Sequence, residues 1–155
     1  MTPTQRDPAG RVGVLVSRYN ETVTERLLSG AQACLRERGV DASRVDVIRL
    51  PGAWELPLAA RTLAARGGYV AVVALGAVIR GETAHFDYVA GEASRGLMEV
   101  ALHYGVPVGF GVLTCDTLEQ ALARSGGEAG NKGYEATAAA LETVAILAGG
   151  DGAAR

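Results

Sequence analysis

The run Tyr69–Leu75 (YVAVVAL) restricts this chain more than any other segment, because seven apolar, valine-rich residues without alternation suit a strand buried on both faces. Such strands belong to parallel sheets covered by helices on each side. Directly after it comes GAVIRGETAHFDYV, Gly76 to Val89, and then Asp87–Tyr104 carries Val89, Leu97, Val100, Ala101 and Tyr104 at helical spacing. The stretch Gly76–Val89 therefore reads as a strand-to-helix loop at the carboxyl edge of an α/β sheet, where open α/β folds bind ligands. Gly81, Glu82 and Thr83 can offer backbone N–H groups near a helix start, an arrangement suited to a phosphate. His85 follows at once. Histidine titrates nearest neutrality, so beside an anion site it is a candidate proton carrier.

The remaining segments repeat the pattern. Arg11–Ser17 (RVGVLVS) reads as the first strand, and Asn20 or Thr22 as the cap of a helix over Val23–Arg38 that Gly39 ends. Val45–Leu50 is shorter and partly alternating, as an outer strand would be, and Pro51-Gly52 stops it. Glu55–Arg66 is a helix with Pro57 in its first turn. Val108–Thr114 is a glycine-interrupted strand, Asp116 or Thr117 caps the short helix LEQALARSG, and Gly126, Gly127 and Gly130 form a loop before a final helix over Lys132–Leu147. Four strands alternating with helices predict one α/β domain over 11–148: a parallel sheet of flavodoxin-like order 2-1-3-4 with helices on both faces. Residues 1–10 read as a flexible lead and 149–155 as a frayed tail.

Charge and composition narrow the function. A formal net charge of -2 gives no electrostatic case for nucleic acid or an anionic membrane surface. The longest apolar run, broken by Gly76, is shorter than the about 20 residues of a membrane helix. The polar start lacks a secretory signal's apolar core, and Cys34 and Cys115 suit a reducing cytoplasm as small buried fillers. No Cys/His/carboxylate cluster suggests a metal, and no glycine fingerprint suggests a nucleotide.

Each strand end carries a residue with chemistry. Tyr19 could stack on a planar heterocycle or cover the core. Glu55, in PGAWE with the only tryptophan, Trp54, could accept hydrogen bonds from a polyol, although a carboxylate at a helix start also complements the dipole. Arg80 and Arg124 are the cationic candidates for an anion. His103, at the end of an ordinary helix, receives no role.

The blocks YNETVTERLLSGA, PGAWELP, ALGAVIRGETAHFDYV and FGVLTCDTLEQALARSGGEAGNKGYEA, in this order between Val12 and about Leu147, resemble the lumazine synthase family. That resemblance implies condensation of 5-amino-6-(D-ribitylamino)uracil with 3,4-dihydroxy-2-butanone 4-phosphate to 6,7-dimethyl-8-ribityllumazine, phosphate and water, without metal or organic cofactor. It implies that Tyr19 stacks on the pyrimidine, that Ala53, Trp54 and Glu55 bind the ribityl-bearing substrate, and that Ala77, Val78 and Ile79 read the pyrimidine edge through their backbone. Glu82, Thr83 and Arg124 match the phosphate site, His85 the proton-transfer residue, and Phe110 a residue contributed by the adjacent subunit. Lys132 lies in the matching GNKG segment without an assigned role. Tyr19 and Trp54 each stand where another aromatic is usual. The resemblance also implies pentamers with active sites between subunits, and RSGGEAGNKG lacks the insertion of many pentamer-only members, so a 60-subunit shell is expected to be open to this chain. A silent flavin- or lumazine-binding protein, a structural cage, and a riboflavin synthase on the same fold are the competing readings.

Overall fold

The computed structural model describes residues 10–149. Four parallel strands, β1 (Arg11–Ser17), β2 (Val45–Leu50), β3 (Tyr69–Ile79) and β4 (Val108–Cys115), form one sheet in the order β2-β1-β3-β4. The expected order is therefore the observed one. β3 is central: Val12–Val16 of β1 pair with Ala71–Leu75 on one side, and Val108–Cys115 of β4 with Val72–Ile79 on the other. The expected lead 1–10 and tail 149–155 lie outside the described residues, apart from Gly10 and Gly149.

The continuous apolar strands have a direct cause in the layers around them. Val12, Val14, Val16, Val73 and Leu75 face helices α1 (Glu21–Glu37) and α5 (Lys132–Leu147), together with Leu27 and Val144. Leu15, Val72, Ala74 and Val112 face α2 (Leu56–Arg66) and α3 (His85–Tyr104), together with Leu63 and Leu97. With both faces covered, neither parity of β1 or β3 meets water. Leu27 and Leu97 are 0% and 2% exposed; burying each such side chain contributes roughly 1.5–3 kcal/mol. Removing either to alanine would open a cavity in one layer.

Several boundaries differ from the sequence reading. β3 does not end at Leu75 but continues through Gly76 to Ile79, paired with Val112–Cys115, and α3 starts at His85 rather than Asp87. The loop between them shrinks to residues 80–84. Gly76 reads locally as a breaker, yet it serves close packing: a Cβ there would stand 3.0 Å from the Ser17 hydroxyl. α1 starts at Glu21, with Thr22 inside it. Asn20 occupies the cap position in a left-handed conformation (φ 62, ψ 49) and makes no side-chain cap; its Nδ2 instead donates to the Ala77 carbonyl at 3.0 Å.

The short helix α4 covers only Leu118–Ala123, capped by Thr117, whose hydroxyl accepts from Gln120 N while the Gln120 side chain accepts from Thr117 N. Asp116 does not cap it. The expected glycine loop is a small antiparallel ribbon, β5 (Ser125–Gly127) with β6 (Gly130–Asn131). Asn131 then caps α5 by accepting from Tyr134 N at 3.1 Å. Within α3, Ala93 is buried in the core and Gly96 lies against Pro57 of α2, so part of its small-residue stripe serves packing inside the chain.

Candidate functional site

The carboxyl ends of β1, β2 and β3 bring three polar or aromatic segments around one cavity of about 460 Å³. Arg18 N donates to Leu50 O at 2.8 Å and Tyr19 N to Pro51 O at 3.1 Å, which holds the chain after β1 against the chain after β2. Tyr19 thereby rests over Gly52, where a Cβ would come within 2.7 Å of its ring. The ring is still 71% exposed, so one face remains available for stacking. Ala53–Glu55 form a 3-10 turn, and Gly52 N donates to Glu55 Oε1 at 2.9 Å. That bond fixes the carboxylate and leaves its other oxygen free to accept from a hydroxyl.

His85 is the first residue of α3, and its backbone N–H donates to Thr83 Oγ1 at 3.3 Å. Its exposed imidazole has no hydrogen-bond partner among the described residues. Tyr19, Ala53, Trp54, Glu55 and His85 all line this cavity. Tyr88 lines it too, a residue that sequence reasoning passed over; its separation of three positions from His85 on a helix was the available signal.

Residues 80–84 form the rim between β3 and α3, and all five are exposed. No hydrogen bond within the described residues engages the backbone N–H groups of Gly81, Glu82 and Thr83. Such groups, in front of a helix of 20 residues, form a local positive end. Ala77, Val78 and Ile79, expected as a loop segment, are a strand end paired with Leu113, Thr114 and Cys115, and none lines the cavity. Because β1 pairing stops at Leu75, no strand covers the backbone of residues 76–79 on the β1 side.

A second cavity of about 470 Å³ lies along β4, α4 and the start of α5. Phe110, Gln120, Arg124, Lys132 and Glu135 line it, and no residue lines both cavities. Arg124 sits at the C-cap of α4, where its Nη1 donates to Gln120 O at 3.1 Å, and it has no carboxylate partner among the described residues. Lys132 stands next to it because Lys132 N donates to Arg124 O at 2.8 Å across the base of the ribbon. No motif spacing indicated that adjacency. It depends on the ribbon that the sequence reading took for a loop.

The two cationic candidates are thus separated by their surroundings. Arg80 Nε donates to Asp116 at 2.8 Å, its Nη1 lies 3.5 Å from Asp87, and its guanidinium stacks 4.3 Å from the Phe86 ring centre. Those carboxylates occupy its charge, whereas Arg124 keeps its own. His103 packs edge-on against Tyr104 at 4.6 Å, away from both cavities' chemistry. Cys34 and Cys115 are buried and unpaired, and burial pushes both thiols up, as expected of inert fillers. Among the described residues no His/Cys/Asp/Glu group could hold a metal, and no helix is long and apolar enough to cross a membrane.

A covered parallel sheet with aromatic, carboxylate and imidazole groups at its carboxyl edge defines an α/β protein of the sheet-edge ligand-binding class. Residues 9–148 match the family model described as 6,7-dimethyl-8-ribityllumazine synthase. The chain belongs to that family, whose members are transferase-type enzymes of riboflavin biosynthesis.

Proposed function

We propose that this chain is a cytoplasmic enzyme condensing 5-amino-6-(D-ribitylamino)uracil with 3,4-dihydroxy-2-butanone 4-phosphate to 6,7-dimethyl-8-ribityllumazine. The observation that carries this reading is the convergence of Tyr19, Glu55 and His85, from three separate strand ends, on one cavity. Tyr19 stacks on the pyrimidine, Ala53–Glu55 take the ribityl chain, and the backbone of Ala77, Val78 and Ile79, whose Ala77 carbonyl already accepts from Asn20 Nδ2, meets the ring edge. Glu82 and Thr83 amides hold the phosphate.

In the reaction the substrate amine attacks the ketone, and water leaves to give an imine. Loss of a proton then allows the C–O bond to phosphate to break. Elimination leaves an enol that tautomerises to a ketone, and the ribityl-bearing amino nitrogen attacks that carbonyl, with loss of water, to close the new ring. His85 at the rim takes and returns protons in these steps. Holding two reactants together supplies much of the rate, since orientation can remove several kcal/mol of barrier.

Among the described residues no arginine lines the cavity of His85, and Arg124 and Phe110 line another. That division fits a homo-oligomer in which Phe110 and Arg124 of one subunit complete the His85 cavity of the next. Exposed Leu58 and Leu102, near Trp54 on the outer side of α2 and α3, give such an oligomer apolar surface to bury. The assembly is a pentamer, with packing into a 60-subunit shell open to it.

A steady-state assay of purified protein with both substrates, following lumazine absorbance against a protein-free control, tests the reading. A rate above the spontaneous condensation supports it. Well-folded protein that matches the control while binding lumazine or flavin would replace it with a silent binding protein, and consumption of lumazine to riboflavin with a riboflavin synthase.

A further inference from the structure

Arg80 lies at the junction of three segments that must stay in register for the rim 81–84 to keep its shape. Its backbone N–H donates to Cys115 O at 2.8 Å, extending the β3–β4 ladder by one bond. Its Nε donates to Asp116 Oδ1 at 2.8 Å, in the connection after β4, and its Nη1 reaches Asp87 Oδ1 at 3.5 Å, in the first turn of α3. The guanidinium plane lies over Phe86, which is buried in the layer between α3 and the sheet.

The rim itself has little else to define it. Residues 81–84 are all exposed, and nothing lies within 4 Å of where a Gly81 Cβ would be. Inside the rim the only side-chain bond among the described residues is the one from His85 N to Thr83 Oγ1. Its path is set from its ends, and Arg80 is the residue that joins those ends. Charge adds a second requirement: without Arg80, Asp87 and Asp116 would present two unbalanced carboxylates beside the amides that receive a dianionic phosphate.

We propose that Arg80 is a positioning residue for the phosphate-binding rim, holding Glu82, Thr83 and His85 in place and neutralising Asp87 and Asp116, without itself touching substrate. This rests on reading Glu82 and Thr83 as the phosphate amides. Exposed ion pairs contribute little to stability, so the consequence falls on binding geometry rather than on folding. Lysine retains the charge but neither the fork nor the stacking plane, and therefore restores part of the function only.

The test uses the full-length protein, with wild type, R80A, R80K and the triple variant R80A/D87N/D116N assayed against each substrate in turn. Wild type is read first; if it does not turn over, the phosphate reading fails and the role of Arg80 falls with it. With an active wild type, R80A is expected to raise KM for the butanone phosphate roughly tenfold while leaving KM for the aminouracil and the melting temperature near wild type. R80K should recover part of that loss, and so should the triple variant, through relief of repulsion. An unchanged KM for the phosphate substrate, an equal rise in both KM values, or a loss matched by a lowered melting temperature would overturn the role of Arg80 while the phosphate reading stands.

Discussion

The His85 cavity and the Arg124 cavity are almost equal in volume, about 460 and 470 Å³, and opposite in chemistry. The first presents stacking faces, a fixed carboxylate and an imidazole from the ends of β1, β2 and β3. The second presents two cations from α4 and the base of the β5–β6 ribbon. Groups that stack on a heterocycle and move protons, with the free amides of the rim beside them, are on one side, and the cationic side chains are on the other. Under the proposed reaction each chain carries two half-sites, and a reaction needing both kinds of group asks for two chains.

The sharpest way to break this comparison is to disable one side and watch which parameter moves. His85→Ala should lower kcat roughly 100-fold, the low end for a lost acid–base group, with turnover still above the spontaneous rate because both reactants remain oriented. Complete inactivity of a folded His85→Ala protein would contradict that division of labour. Arg124→Ala should instead raise KM for the butanone phosphate roughly 10- to 100-fold, as loss of a charge-assisted hydrogen bond of about 1.5–3 kcal/mol requires, with aminouracil binding retained. Titration of each substrate separately reads the difference.

A structural variant sharpens the comparison from below. Gly133, in the first turn of α5, lies so close to α1 that an added Cβ would overlap the Leu27 carbonyl. Gly133→Ala should cost about 1–3 kcal/mol of stability. Calorimetry and substrate titration together should show lowered stability accompanied by weaker butanone phosphate binding, with stacking at Tyr19 unaffected.

The smallest effect is expected far from both sides. Asp46 receives hydrogen bonds from Arg11 and from the Tyr69 hydroxyl, at 2.6–2.7 Å, and these hold its carboxyl down at about 2. A folded value below the ordinary 3.8 means stability present above that pH and lost as pH falls from there through about 2. Asp46→Asn should lower the melting temperature slightly at neutral pH, and the gap to wild type should close across that acid window, with both KM values unchanged.

Much of the sheet was readable because burial on both faces writes itself as valine runs, and because Gly and Pro bracket them. β2 and α5 coincide with their expected limits, Val45–Leu50 and Lys132–Leu147. What was not readable depends on neighbours distant in sequence. Gly76 continues a strand because β4 pairs with it at Val112, and Asn20 forgoes capping because Ala77 O, 57 positions away, offers a bond. The expected site residues were nameable one by one from their strand ends. Their division between two cavities was not, since it depends on where α4 and the ribbon carry Arg124 relative to His85.

The claim that two chains share one site is tested most directly by complementation. Arg124→Ala chains and Tyr19→Ala/His85→Ala chains are prepared separately, then co-expressed and purified as mixed assemblies through two different tags. Shared sites predict recovery of activity in the mixture, at about a quarter of the interfaces, since each interface draws its two sides independently from neighbouring subunits. Activity no greater than the sum of the two separate variants, in assemblies shown to contain both chains, would contradict it.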